Sequence, residues 1–228
     1  MSRFRLHYKN KPYRLLGRAH HTETLEVLTL YECLYENELG ALWVRPEELF
    51  HGTVDLPQGR VPRFREVPLQ IQASDDIHAL WPLIEPLHRQ ILGEPDLARF
   101  AARLQGNDAI ILVGLFEGDP VGFKIGHRAR DGGGGDGGSA QVYESWLGGV
   151  RADRRGLGVA TQLMHEQHRR AWDKGYRRIR TKTLNDWPEM LVRNLRAGFR
   201  VTGTQDCPRG LKILLEKALD RRPEPETT

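Results

Sequence analysis

Val150-Arg151-Ala152-Asp153-Arg154-Arg155-Gly156-Leu157-Gly158-Val159-Ala160-Thr161 is the stretch on which the reading of this chain turns. The segment before it, Gln141–Val150, is rich in apolar, aromatic and β-branched residues and reads as a strand. The segment after it, Gly158–Lys174, is amphipathic. Ala160, Leu163, Met164, Gln167 and Ala171 fall on one stripe at helical spacing. A strand that passes through a short basic turn into a helix makes an anion site. The first amides of a helix have no internal partners, and the helix dipole adds partial positive charge there. Gly156 and Gly158 let a phosphate approach the backbone, and Arg155 adds a fixed charge. The turn has neither the GxGxxG spacing of dinucleotide folds nor the GxxxxGK[ST] of a P-loop. On its own it indicates a phosphate and nothing more.

Outward from this turn the chain alternates element types. Upstream, Pro68–Ala73 reads as a strand. Ser74-Asp75-Asp76 offers a helix start before Ile77–Ile91, a run that Pro82 and Pro86 are expected to kink or break. A second helix is expected over Pro95–Leu104. Ile110–Phe116 and Val121–Gly126 read as strands joined by the turn Glu117-Gly118-Asp119-Pro120. Asp131–Gly138, DGGGGDGG, reads as a flexible loop. Downstream come strand Arg178–Thr183, helix Pro188–Ala197, and strands Phe199–Thr204 and Leu211–Leu215. The order βααβββαβαββ predicts an α/β (α+β) domain with a mixed sheet flanked by helices. Residues 1–66 differ. Tyr13–Leu16, Leu25–Tyr31 and Ala41–Val44 read as short strands of a small, mostly β domain. The expected organisation is residues 1–66, then 68–219, then a polar tail 220–228 without fixed structure.

The 228 residues are 39% hydrophobic and 28% charged, the composition of a soluble globular protein. No apolar run approaches the ~18 residues needed to span a bilayer, and MSRFRLHYKN has no apolar stretch of a signal peptide. No membrane role is expected. Cys33 and Cys207 form neither a disulfide framework nor a metal cluster, which suits a cytoplasmic location and no metal cofactor. The net charge of +4 is uneven: residues 151–182 hold ten Arg or Lys against three Asp or Glu. Such a segment attracts polyanions, either nucleic acid or a phosphorylated small molecule. Its clustering around the phosphate turn favours the small molecule, and no nucleic-acid partner is expected.

At Arg155-Gly156-Leu157-Gly158-Val159-Ala160 the chain resembles the Gcn5-related N-acetyltransferase superfamily, whose signature is [RQ]-x-x-G-x-[GA] between its fourth strand and third helix. The element order over 68–219 agrees, as does the turn Ala197-Gly198-Phe199. The resemblance implies a sheet whose fourth and fifth strands splay apart to hold the pantetheine arm of acetyl-CoA. Backbone groups near Gly148 and Val150 would pair with that arm, and the amides of Gly156, Leu157, Gly158, Val159, Ala160 and Thr161 would hold the pyrophosphate. Glu144, on the fourth strand, matches the general base of histone-acetylating members. Asn185 stands where members often hold the cofactor. Asn194 stands where many members carry a tyrosine acid. An amide can donate a hydrogen bond to sulfur but has no proton to give up. Tyr143 could take over as acid, although strand alternation turns it away from Glu144.

The implied reaction is attack of a primary amine on a thioester. An alkyl ammonium of pKa ~10.4 is only about 0.04% neutral at pH 7, so proton removal costs about 4.6 kcal/mol. A positioned carboxylate such as Glu144 is worth ~10²–10⁴-fold. The acceptor would be a small molecule or a peptide amine, and a homodimer is compatible with the superfamily. The other reading is an acyl-CoA sensor without catalysis. His165 and His168 read as surface residues rather than a metal pair, and Trp172 and Trp187 as packing. Residues 6–66 also resemble a small bacterial domain family of unestablished function. Tyr8-Lys9, Leu16-Gly17, His21–Glu26, Leu42–Pro46 and Val61–Phe64 carry that likeness.

Overall fold

The computed structural model describes residues 3–129 and 142–223. The expected loop 131–138, Gln141 and the end of the polar tail, 224–228, lie outside them.

The N-terminal part holds strands β1 (Phe4–His7), β2 (Pro12–His20), β3 (Val27–Cys33) and β4 (Leu42–Pro46) and helix α1 (Glu47–His51). Strands β5 (Thr53–Leu56), β6 (Gly59–Pro62) and β7 (Phe64–Glu66) follow. Five of them form an antiparallel sheet in the order β4-β3-β2-β1-β7, and β5 and β6 make a separate hairpin. Alternation gives this sheet two different faces. On one, Tyr31, Phe50 and Phe64 are buried, with Tyr13, Leu15 and Trp43 packed against them. The Phe50 and Phe64 rings stack at 4.2 Å. On the other, Phe4 is buried in the core of the second sheet, 4.7 Å from the ring of Phe116.

The second part runs β8 (Gln70–Ser74), α2 (Ile77–Leu92), α3 (Leu97–Leu104), β9 (Ile110–Phe116), β10 (Asp119–Arg128) and β11 (Val142–Val150). After one 3-10 turn come α4 (Val159–Asp173), β12 (Arg178–Leu184), α5 (Pro188–Arg196), β13 (Arg200–Cys207) and β14 (Gly210–Ala218). This is the expected βααβββαβαββ order. The seven strands form one mixed sheet, β13-β14-β12-β11-β10-β9-β8. Strand β9 is buried along its whole length, so both of its faces are covered. Helices α2 and α3 pack on one face around Ile84, Leu87, Phe100 and Phe123. Helix α4 packs on the other around Val121, Leu163 and Ala171.

Helix α2 does not show the break that was one of the two outcomes expected of its prolines. It runs unbroken for 16 residues through Pro82 and Pro86. Each proline removes one amide donor, which leaves the carbonyls of His78 and Pro82 without their helical partners. His78, Pro82 and Pro86 are all exposed, so those carbonyls face water. The opposite stripe, Ile77, Leu80, Ile84 and Leu87, is buried and holds the helix to the sheet. The turn between β9 and β10 is also tighter than expected. It is Glu117-Gly118 alone, both with positive φ, while Asp119 and Pro120 already belong to β10. That is the type I′ geometry that suits the twist of a hairpin.

Candidate active site

Strand β11 pairs along its length with β10 but only briefly with β12. The parallel register is Val142↔Arg178, Tyr143↔Ile179 and Glu144↔Arg180, and it stops there. One further tie, from the Thr181 hydroxyl to the Ser145 carbonyl at 3.0 Å, marks the vertex. Beyond it Trp146–Val150 and Thr183–Leu184 run on unpaired with each other, leaving a gap that opens toward the phosphate turn.

At the open end the chain turns sharply. Arg151 is clamped by Asp119 and Asp153, at 2.9 and 2.8 Å. Those hydrogen bonds raise its pKa and keep it charged. Gly156 and Gly158 both take left-handed φ, of 76° and 85°, which a residue with a Cβ adopts only under strain. Gly158 is the N-cap of α4, and no side chain caps it. Among the described residues, none of the amides from Gly156 to Thr161 finds an acceptor, and the first bond of the helix runs from Gln162 to the Gly158 carbonyl at 3.0 Å. Leu157 and Val159 are buried and anchor the turn, while Arg155 and Gly156 are exposed. Arg155 leans back over the strand end, its Nε 3.4 Å from the Val150 carbonyl. Six donors at a helix start, two left-handed glycines and an exposed arginine fit a pyrophosphate.

Gly148 and Gly149 have protein reasons of their own. A Cβ on Gly149 would lie 2.7 Å from Ile91 of α2, and one on Gly148 would lie 2.9 Å from the Phe123 carbonyl. The glycines thus let α2 and β10 close on β11. Asn185 sits exposed just beyond β12, its amide bound to the Leu211 carbonyl at 2.8 Å. Asn194 is the buried residue of α5, and its carbonyl accepts the amides of Ala197 and Phe199, closing the helix.

At the closed end stands Glu144, half-buried, on the α2–α3 face of the sheet. Its carboxylate meets Arg103 of α3 at 3.6 Å. Arg103 donates to Nε2 of the buried His127 at 2.9 Å and lies over the Trp146 ring at 4.5 Å. The other nitrogen, Nδ1, donates to the Arg128 carbonyl at 2.7 Å, so the imidazole is neutral with its proton on Nδ1. The cation facing Glu144 is thereby held in place by three elements. Tyr143 points to the α4 face, fully buried against Tyr176 at 5.0 Å. Gly126 makes room for its ring: a Cβ there would come within 2.5 Å of Tyr143. Burial pushes the Tyr143 phenol well up. It is a core residue, turned away from Glu144, which removes it as a proton donor to that side. Tyr176 in turn donates to Asp108 at 2.7 Å, and Lys174 reaches the same carboxylate at 2.5 Å. Against the burial that would raise it, these two hydrogen bonds hold the Asp108 pKa down.

The α4 face of the sheet carries buried polar groups. His168, expected at the surface, is buried against Phe199. Its pKa is driven well below the ordinary value by burial and by the charges of Lys217 and Lys124. Lys217 lies on β14, opposite Ile179, and Lys124 on β10, opposite Gly148, so charge from both sides of the β11–β12 pair acts on His168. Its Nε2 and both ends of the fully buried Gln167 amide meet no partner among the described residues. Unpartnered buried polar groups are costly, roughly 1–3 kcal/mol each. Lys124 faces the same side, next to Gly148, and burial, with the Arg193 charge, lowers its pKa to about 8. Among the described residues no group of three His, Cys, Asp or Glu could hold a metal ion.

The sheet, the gap and the phosphate turn together define an acyltransferase fold. The model of the "Acetyltransferase (GNAT) family" matches residues 77–195, and the chain belongs to that family. Residues 3–66 match the model of a "Protein of unknown function", DUF1653. Two solved structures agree on the fold of the acetyltransferase part. Arabidopsis thaliana NAA60 in complex with acetyl-CoA is 13% identical, with a TM-score of 0.56, covering 68% of this chain and 100% of that one. The aminoglycoside N-acetyltransferase AAC(6')-Iy in complex with CoA is 22% identical, with a TM-score of 0.54, covering 63% and 95%. A DUF1653 protein from Bordetella bronchiseptica is 34% identical, with a TM-score of 0.28, covering 29% of this chain and 86% of that one. No curated protein matches the chain.

Proposed function

We propose that this chain is an N-acetyltransferase that moves an acetyl group from acetyl-CoA to a primary amine of a small molecule or peptide, with Glu144 as general base. One observation carries the reading. Strand β11 joins two half-sites, an unpartnered row of amides at its open end and a carboxylate at the vertex where its pairing with β12 stops. A thioester bound by its phosphates at the first would extend along the gap toward the second. The acceptor nitrogen gives up a proton to Glu144, directly or through water, and forms a bond to the thioester carbonyl carbon. The C–S bond breaks and its electron pair leaves on sulfur. Asn194, buried on α5, has no proton for that thiolate, so solvent supplies it. The ligands of the two related structures, acetyl-CoA and CoA, support the choice of donor.

Asn194 also favours the second reading, an acyl-CoA sensor that binds without turnover. Titration calorimetry with acetyl-CoA tests what both readings share. Wild type should bind, and Gly158→Glu, which puts a bulky anion at a left-handed position in the cradle, should weaken binding about 100-fold or more. An amine panel with product detection then separates them. Acetylated product supports the enzyme. Tight binding with no product from any amine supports the sensor. A wild type that does not bind acetyl-CoA sinks both.

A further inference from the structure

The phosphate turn is not built by the acetyltransferase part alone. Arg14 of β2, in the N-terminal sheet, donates from Nη2 to the Arg155 carbonyl at 2.7 Å. Its guanidinium lies so close over Gly156 that a Cβ there would meet Cζ and Nη1 at 2.7 Å. The placement follows from register. Arg14 lies opposite Phe4 of β1 and Glu32 of β3, in one row across the sheet. Phe4 plugs the core beneath the turn, with Arg154 stacked on it at 5.8 Å. Glu32 holds Nη1 of Arg14 at 3.2 Å. The row therefore sets Arg14 against the turn by packing on one side and by an ion pair on the other.

Two consequences follow. In a trans peptide the carbonyl and the next amide point opposite ways. By binding the Arg155 carbonyl, Arg14 turns the Gly156 amide away from the N-terminal sheet and holds it there. It also brings a second guanidinium, beside that of Arg155, to the start of α4, where anions are favoured. We propose that Arg14 completes the phosphate-binding site of the acyl donor, so that the N-terminal DUF1653 domain is a working part of the donor site. This rests on the acyl-CoA reading above and deepens it.

The test is titration calorimetry with CoA on the full chain at low and high salt, with thermal melting of each variant. Arg14→Ala should weaken CoA binding about tenfold at low salt, the size of one charge-assisted hydrogen bond, and the deficit should shrink at high salt as the charge is screened. Arg14→Lys, which keeps the charge but loses the planar fork, should fall between. Glu32→Gln removes the ion pair that holds Arg14 against the turn and should weaken CoA about two- to threefold at low salt. Arg14→Ala within twofold of wild type, with wild type binding CoA, overturns the inference and leaves the donor site standing. If Arg14→Ala does not fold, unchanged affinity in Glu32→Gln overturns it instead. A wild type that binds no CoA overturns the acyl-CoA reading itself, a result distinct from either.

Discussion

The two ends of β11 do different work and are built in different ways. The open end is mostly local: from Arg151 to Thr161 the chain itself supplies the turn, the glycines, one charge and the amides, and Arg14 of β2 is the distant side chain set against them. The closed end is assembled from distance. Glu144 meets Arg103 of α3, which is held by His127 of β10 and by Trp146 of its own strand. A binding end can be carried in one contiguous segment because phosphate recognition uses backbone amides. A chemical end needs a charge held in one orientation at the edge of the core, and only side chains from several elements can do that.

Breaking the closed end should have the largest effect. Glu144→Gln keeps size and hydrogen bonding but cannot take a proton. It is expected to lower turnover ~10²–10⁴-fold while sparing acetyl-CoA affinity. Steady-state kinetics across pH beside calorimetry would check this, and unchanged turnover would remove Glu144 from the chemistry.

A smaller effect is expected beneath the gap. The lowered pKa of Lys124, about 8, means that the folded protein pays to keep that amine charged. Below about pH 8 both folded and unfolded forms hold the proton and the cost is complete. From about pH 8 to 10.5 the unfolded chain binds more protons, so stability rises with pH. Lys124→Met should therefore stabilise the ligand-free protein by about 2 kcal/mol at neutral pH. Its advantage in denaturant melts should shrink as pH is raised through that window. An advantage that stays constant would mean the ammonium is well solvated.

The smallest effect is expected at Asp108, behind the vertex. Its pKa is depressed, so its contribution is present above the unfolded carboxylate range and is lost as pH falls through the folded value. Asp108→Asn should cost about 1 kcal/mol at neutral pH, and the difference from wild type should vanish in acid. A persistent difference in acid would point to packing rather than charge.

The same contrast explains what could be read before the structure. The order of elements over 68–219 was legible because apolar spacing and turn residues are local signals. The phosphate turn was legible because its glycines, its amides and Arg155 are contiguous. Arg103, His127 and Arg14 were not. They stand 41, 17 and 141 residues from the residues they serve, Glu144, Glu144 and Arg155, and nothing local marks them. The continuity of α2 was not legible because a proline costs a helix only what its orphaned carbonyl cannot recover from solvent, and exposure of that stripe depends on the fold. His168 was misread because one polar residue on a half-polar helix gives no sign of which flank is covered.

The gap between β11 and β12 has a further consequence. Where the two strands part, each presents unpaired backbone to the other, so this sheet has an edge in its middle as well as at its rims. Open edges are where chains join to one another out of register. A ligand arm lying in the gap would act as a chaperone of that edge, and the protein's tendency to self-associate on storage should fall as the gap is filled.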